Sequence, residues 1–212
     1  MRILIVAGAA TALALLLGSC ATMSEEQCRA GAWGEQGFAD GTAGLPMSRL
    51  DDHAKACAKY GVLPEPTVYA SARADGLTRY CTRPRGFQAG REGGAYYGVC
   101  TPEQEADFLP AYQDGQTVYA AEQALATARS SVESLGSRLE ALDDKITEKQ
   151  SELRQPGLTD EEKDAVRNRI QEIRRERSDT ERDWRRAQRE VDEADSRARD
   201  VRWRFQDIYG AW

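Results

Sequence analysis

The chain has 212 residues, of which 30% are charged, and a formal net charge of −6. Basic residues are interleaved with acidic ones, so no basic stripe is available to neutralise nucleic-acid phosphates, and we expect no nucleic-acid partner. The length excludes one very large core and suits a compact domain with an elongated element, or two small domains.

The first predicted element is an export signal. Arg2 precedes an apolar stretch, residues 3–17, that is too short to span a membrane comfortably. Leu17–Cys20 resembles the lipobox of bacterial lipoproteins, in which the cysteine is lipidated before cleavage and its new amino terminus is then acylated. The resemblance implies a signal peptide over residues 1–19 and a membrane anchor at Cys20. An ordinary signal peptide with an incidental cysteine is the alternative.

The residue after the lipidated cysteine indicates which membrane carries the anchor. Ala21 stands where lipoproteins retained in the inner membrane of enteric bacteria have an aspartate. The resemblance therefore implies a lipid-anchored protein of the outer membrane that faces the periplasm.

Four more cysteines lie in the first half of the mature chain, namely Cys28, Cys57, Cys81 and Cys100. An even number in an exported chain predicts two disulfides. Spacing does not choose among the three pairings, but we favour Cys28–Cys57 with Cys81–Cys100, because the second bridge would close a glycine-rich loop. A four-thiolate zinc site is the alternative. Since no Cys-x-x-Cys pair is present, we expect no metal.

Residues 20–100 are predicted to form a small disulfide-bonded helical domain. Ser24 and Gln27 form a capping box for its first helix, and Ser48 can cap the second. Two prolines suit the start of the third helix. The residues that end or begin these helices are Gly37–Gly44, Gly61, Pro64 and Pro66. After Cys81 the glycines exclude long regular structure: Gly86, Gly90, Gly93, Gly94 and Gly98.

Residues 101–212 predict a long helical hairpin. Thr101 and Gln104 cap a helix in which Pro110 marks a kink or a break. Apolar residues then recur at alternating steps of three and four on both sides of a proline–glycine turn near residues 155–159, and a short turn makes the helices antiparallel. The first seam is Val118, Ala121, Leu125, Ala128, Val132, Leu135, Leu139, Leu142, Ile146, Lys149 and Leu153. The second is Val166, Ile170, Ile173, Arg177, Thr180, Trp184, Ala187, Val191, Ala194, Ala198, Val201, Phe205 and Ile208.

Folding about the turn sets the register of the hairpin. It places Ile146 near Ile173, Leu153 near Val166 and Leu125 near Ala194. At the other end, aromatic residues of the two arms should meet in a junction that closes the hairpin: Trp203, Phe205, Tyr209 and Trp212 with Phe108, Tyr112 and Tyr119. The fold class is therefore all-α, a small disulfide-bonded domain plus an antiparallel two-helix coiled coil.

Catalytic chemistry has few candidate residues. His53 is the single histidine, so a catalytic triad would require it. We expect instead a capped or surface histidine, and we interpret Asp40, which precedes Gly41, as a turn aspartate. We predict no enzyme and no cofactor.

The loop between Cys81 and Cys100 is the candidate binding segment. Its arginines alternate with aromatic residues. Arginine can form bidentate hydrogen bonds with a carboxylate or a phosphate, while aromatic rings can stack on sugars. The candidate ligand-binding residues are Arg83, Arg85, Arg91, Tyr96 and Tyr97. The plainer interpretation is a clamped loop whose rings fill a small core and whose arginines are solvated.

The cysteines, glycines and aromatic residues of the first half carry a family resemblance. Its most specific parts are the Gly-Leu-x-x-Tyr-Cys segment that ends at Cys81 and the Tyr-x-Gly-Val-Cys segment that ends at Cys100. The pattern resembles the bacterial envelope proteins grouped as domain of unknown function 2799, over about residues 20–120. The resemblance implies a small cysteine-containing lipoprotein domain and gives no activity.

These observations predict a structural or interaction role. A hairpin held at a membrane by a lipid would present a long surface to an envelope protein, or to a second copy of the chain. The alternative function is a cell-wall or anionic glycan-binding module that uses the Cys81–Cys100 loop.

Overall fold

A computed structural model describes residues 22–210 and 212, and all of its regular elements within those residues are helices. The predicted all-α fold class is confirmed. The signal peptide and the lipidation residue Cys20 lie outside the described residues. The helices are α1 (Glu25–Arg29), α2 (Trp33–Thr42), α3 (Arg49–Ala58), α4 (Pro66–Tyr80), α5 (Arg83–Arg91), α6 (Pro102–Leu153) and α7 (Asp160–Tyr209).

The chain divides into two compact units. The first, called the disulfide unit, contains the described residues up to Thr82 together with Tyr96–Glu105. The second, called the hairpin unit, contains Arg83–Ala95 and Ala106–Trp212.

The disulfide unit begins with two helices where the sequence predicted one. Ser24 and Gln27 form the predicted capping box, but α1 ends after five residues. Gly31 then takes a left-handed conformation (φ 64°), and α2 begins at Trp33. The prediction of a single helix was wrong because a residue with positive φ cannot continue an α-helix.

The core of the disulfide unit surrounds the Cys28–Cys57 disulfide, whose two cysteines are fully buried. Trp33 and Tyr69 pack in the same cluster and are also almost completely buried. The second disulfide joins Cys81 to Cys100, so both bridges have the favoured pairing. α4 begins at Pro66 as predicted, whereas the Ser48 side chain makes no capping hydrogen bond to α3.

Glycines allow α2 and α4 to pack backbone against backbone. A Cβ atom on Gly37 or Gly41 would overlap with a backbone carbonyl of α4, and one on Gly76 would overlap with the carbonyl of Phe38 on α2. Only glycine, which has no Cβ atom, permits this contact between the two backbones. We call α2 and α4 the first helix pair.

The second helix pair, α5 with the part of α6 that follows Glu105, lies in the hairpin unit and repeats this arrangement. The sequence prediction of a loop was wrong here, because residues 83–91 are helical and their glycines serve helix packing. A Cβ on any of three glycines would overlap with a backbone oxygen of the other helix. The corresponding glycines are Gly37 and Gly86, Gly41 and Gly90, and Gly76 and Gly115.

The correspondence extends beyond these contacts. A glycine with positive φ follows the first helix of each pair and faces a tyrosine ring: Gly44 faces Tyr80, and Gly93 faces Tyr119. The carbonyl of the residue after this glycine accepts a side-chain hydrogen bond from the second helix of the pair. In sequence, each pair also has one cysteine before its first helix and the bonded cysteine between its helices. The chain therefore contains two copies of one helix-pair motif. The hydrogen bonds are Arg73 Nη2 to Leu45 O (2.6 Å) and Tyr112 Oη to Gly94 O (2.7 Å).

The hairpin helices are long and continuous. α6 has 52 residues and runs through Pro110 without a break, and α7 has 50. Thr159 and Glu162 form the predicted capping box at the start of α7. At 1.5 Å per residue each arm is roughly 75 Å long.

Ion pairs between the arms confirm that the hairpin is antiparallel. They are Glu122 with Arg202, Arg129 with Asp195, Arg138 with Glu176, and Asp143 with Arg177. This register agrees with the predicted placement of Ile146 near Ile173. Every predicted seam position is buried or half-buried except Ile208, which is 50% exposed. Arg177, a polar seam residue, binds Asp143 and Glu181.

The aromatic junction differs from the prediction. Phe87 of α5 is at its centre and is stacked on Tyr209, with 4.0 Å between ring centroids. Phe205 and Trp212 also contact Phe87. Trp203 is 73% exposed, because it lies between the seam positions 201 and 205 and points away from them.

Candidate functional site

The most polar part of the buried core is a cluster of three side chains in the disulfide unit. His53 Nε2 lies 2.7 Å from Oδ2 of Asp40, and the Tyr69 hydroxyl donates to the same oxygen at 2.5 Å. Gln36 donates to the other carboxylate oxygen, Oδ1, at 2.9 Å. The Asp40 carboxylate therefore joins α2, α3 and α4 through hydrogen bonds.

All three central side chains are buried, with exposures of 4% for Asp40 and 0% for His53 and Tyr69. Burial raises the pKa of Tyr69 well above its usual range, and the hydrogen bond to Asp40 raises it further. His53 Nδ1 is buried without a hydrogen-bond partner. Because solvent does not reach these groups, the cluster acts as a polar core that fixes three helices.

The sequence interpretation of both residues was wrong. Asp40 lies within α2 rather than in a turn, and His53 is fully buried rather than at the surface. His53 does share one helical face with Leu50 and Cys57, which is the signal that could have indicated burial. Tyr69 was not predicted as the third member of the cluster.

The five predicted ligand-binding residues are divided between the two units. The arginines lie on α5 in the hairpin unit, whereas the tyrosines lie in the disulfide unit. Arg83 and Arg91 stack on Tyr209 and Trp212, with 5.4 Å from each guanidinium carbon to the ring centroid. Arg85 donates to Gln88.

Tyr96 is held in the disulfide unit by internal hydrogen bonds. Its hydroxyl donates to Glu105 (2.6 Å) and accepts from the backbone N–H of Cys100 (3.1 Å). Burial and then the bond to Glu105 raise the pKa of Tyr96 to about 12. Tyr97 is 53% exposed. Most of the candidate binding groups thus have internal partners, and the glycan-binding function stays a prediction.

The hairpin surface is charged and ion-paired along α7. Arginines pair with acidic residues three or four positions away, as in Arg185 with Glu181 and Arg186 with Asp183. The Arg177 guanidinium holds the pKa of Asp143 below its usual value. One open groove of about 660 Å³ on α6 is lined by uncharged residues: Ala126, Thr127, Ser130, Ser131, Ser134 and Leu135.

Within residues 22–210 and 212, no three cysteine, histidine or acidic residues are grouped so that they could hold a metal ion. Over the same residues, no helix is long and apolar enough to cross a membrane.

Residues 32–117 match the family model described as protein of unknown function (DUF2799). This part of the chain belongs to the DUF2799 family. These matched residues, called the DUF2799 region, contain both helix pairs and the Asp40–His53–Tyr69 cluster. Most of the hairpin follows this region in sequence. Comparisons with the curated proteins and with the solved structures give no match.

Proposed function

We propose that the chain is a lipoprotein of the bacterial outer membrane that faces the periplasm and binds another envelope protein through its hairpin. The hairpin carries this proposal: its apolar seam is closed within the chain, while the outer sides of two arms of 52 and 50 residues remain accessible. A helical arm of this kind offers a long recognition surface on a rigid element.

The location rests on two features of the sequence and one of the fold. Leu17–Cys20 supplies the lipobox and Ala21 the outer-membrane preference. The two disulfides support an oxidising compartment, since such bonds are rare in the cytosol.

The role we infer is non-enzymatic. A histidine that acts as a general base must reach the proton that it removes. The burial of His53 and Asp40 in the core supports a structural role for both residues, because neither can contact a substrate in the described conformation.

Lysine cross-linking in intact envelopes tests the interaction role. Lys145, Lys149 and Lys163 lie on the two arms near the turn, whereas Lys55 and Lys59 lie at the end of α3. We expect amine-reactive cross-links from the three hairpin lysines to a partner protein, identified by mass spectrometry. Cross-links to a second copy would mean that the hairpin forms an oligomer, and intermolecular cross-links confined to α3 would contradict the proposal.

A shortened hairpin provides the matched control. Deletion of residues 125–138 together with 182–195 removes two heptads from each arm, and both seams stay in phase across the junctions. The turn, its lysines and both disulfides are retained. We expect a folded protein, by circular dichroism and by disulfide mass analysis, that loses the partner cross-links. Unchanged cross-links would show that the length and the middle of the hairpin are not required.

A further inference from the structure

The two helix pairs differ in what covers one of their faces. In the second pair this face contains Phe87, Ala111 and Val118, all of which are at most 5% exposed. The end of α7 covers it: Tyr209 stacks on Phe87, and the Tyr209 hydroxyl donates to Asp114 at 2.7 Å. The motif therefore binds an aromatic helix end in this copy.

The corresponding face of the first pair is open. The glycine contacts align the two pairs, so that Phe38 corresponds to Phe87, Ala72 to Ala111, Asp75 to Asp114 and Arg79 to Val118. Phe38 and Ala72 are only half-buried, and Asp75 is exposed. Val68, one turn before Ala72 on α4, is a 45% exposed apolar residue. Within the described residues the Phe38 ring has the Arg79 guanidinium over it at 5.1 Å, and no ring is stacked on it.

We propose that this open face, formed by Phe38, Val68, Ala72, Asp75 and Arg79, docks a helix of a partner protein that presents a tyrosine. Phe38 offers a ring for stacking and Asp75 an acceptor for the hydroxyl, the same two groups that hold Tyr209 in the second pair. Stacked rings and a buried tyrosine with a satisfied hydroxyl are strong interface anchors.

Arg79 is a position at which the two faces differ, and it adjusts the chemistry of the partner. Arg79 replaces the apolar Val118, so the rim of the open face carries a positive charge. An incoming tyrosine ring would share the guanidinium with Phe38, and an acidic residue beside it would pair with Arg79. The surface lies outside the hairpin, so it is independent of the function proposed above.

The chain itself supplies a defined probe, because its own α7 end fills the equivalent face. A synthetic peptide of residues 194–212 is titrated into the isotope-labelled mature chain, and amide shifts are followed by NMR. We expect shifts in α2 and α4 around Phe38 and Asp75, and a peptide with Tyr209→Phe should bind at least tenfold more weakly. Shifts confined to residues 83–118, where the peptide would compete with α7, would overturn the proposal, as would no binding at millimolar peptide.

Variants of the mature chain separate the tyrosine contact from a general loss of structure. Asp75→Ala changes an exposed residue and should weaken peptide binding tenfold or more, with no additional loss when combined with the Tyr209→Phe peptide. Phe38→Ala should also abolish the shifts. Leu63→Ala, which removes an apolar side chain that is 81% exposed outside the pair, is the matched control and should bind normally. Wild-type affinity of both Asp75→Ala and Phe38→Ala would refute the assignment, and concentration-dependent shifts at this face without peptide would assign it to a second copy instead.

Discussion

Substitution of Gly41 by alanine tests the close packing of the first helix pair. The added Cβ would overlap with the carbonyl oxygen of Arg73, and the neighbouring atoms are backbone that cannot rotate away. The helices must separate, which also disturbs the Asp40 hydrogen bonds one residue earlier on α2. We expect a loss of about 3 kcal/mol in the free energy of unfolding, at the upper end of the cost of overpacking, measured by urea denaturation.

Gly136 is the matched control for this substitution. It is also helical, but a Cβ there would meet nothing nearer than Trp184 Nε1 at 3.7 Å. Alanine is the better helix former by about 1 kcal/mol, so Gly136→Ala should stabilise the hairpin by up to that amount. Equal destabilisation by both substitutions would contradict the packing argument.

The buried tyrosines predict a loss of stability at alkaline pH. The pKa values of Tyr69 and Tyr96 are raised in the folded chain, so the unfolded chain loses these protons first as the pH rises. The contribution of these two tyrosines to the free energy of unfolding is therefore fully present below pH 10, the usual tyrosine pKa. It is lost as the pH rises toward the Tyr96 pKa of about 12. Urea denaturation between pH 8 and pH 11.5 measures this slope.

Tyrosine-to-phenylalanine variants assign the slope to residues. Tyr69→Phe should reduce the slope and, at pH 8, cost about 1–2 kcal/mol, because Asp40 loses a buried hydrogen bond. Tyr97→Phe changes an exposed tyrosine and should leave the whole profile unaltered. A slope in Tyr69→Phe equal to that of the parent chain would refute the role of the buried hydroxyl.

The polar cluster shows why single residues were harder to predict than patterns. Asp40, His53 and Tyr69 come from three different helices. His53 and Tyr69 are 13 and 29 positions away in sequence from Asp40, whose carboxylate joins them. Local spacing reports the neighbours within one helix, whereas this cluster depends on how the helices cross. The burial of His53 was accessible from its helical face, but its partners were not.

The disulfides, which tie elements together, are expected to differ in their resistance to reduction. Cys28 and Cys57 are fully buried, whereas Cys100 is half-buried and closes a segment near the surface. Under native conditions a water-soluble phosphine should therefore reduce Cys81–Cys100 first, because the reductant must reach a sulfur atom. Timed alkylation followed by peptide mass spectrometry measures the order.

Unfolding removes this difference in access and serves as the control. In denaturant both disulfides should be reduced at similar rates. Each bridge closes a short loop, with sequence separations of 29 and 19, and should stabilise the fold by roughly 3–4 kcal/mol. Faster reduction of Cys28–Cys57 in the native protein would contradict the prediction.

Elements with strong local signals were predicted well. The seams, the Thr159–Glu162 capping box and the proline–glycine turn specified the hairpin, because periodicity and capping are properties of neighbouring residues. The helix over residues 83–91 was missed for the opposite reason. Judged from local sequence, its glycines predict a loop. In the fold they allow the backbone of α6 to pack closely against the backbone of α5.

The duplication of the helix pair was also not predicted from the sequence. The two copies share the spacing Gly-Phe-x-x-Gly-x-x-Gly, at Gly37–Gly44 and Gly86–Gly93, but the segments that connect their helices differ in length. α3 with His53 lies in the longer connection of the first copy. No single repeat period therefore runs through the DUF2799 region, and the three-dimensional contacts show how the second helices of the two pairs correspond.

The division of the chain into two compact units predicts that they lose structure separately. The seam of the hairpin unit is closed between α6 and α7, while Gly41 packs within the disulfide unit. In Gly41→Ala, hydrogen exchange should accelerate by about a hundredfold for amides of α2 and α4, since about 3 kcal/mol corresponds to two decades in the opening equilibrium. Amides between Val166 and Ala198 of α7 should exchange at the parent rate. If α7 lost the same protection as α2, the two units would form one cooperative body and the observed division would have no energetic meaning.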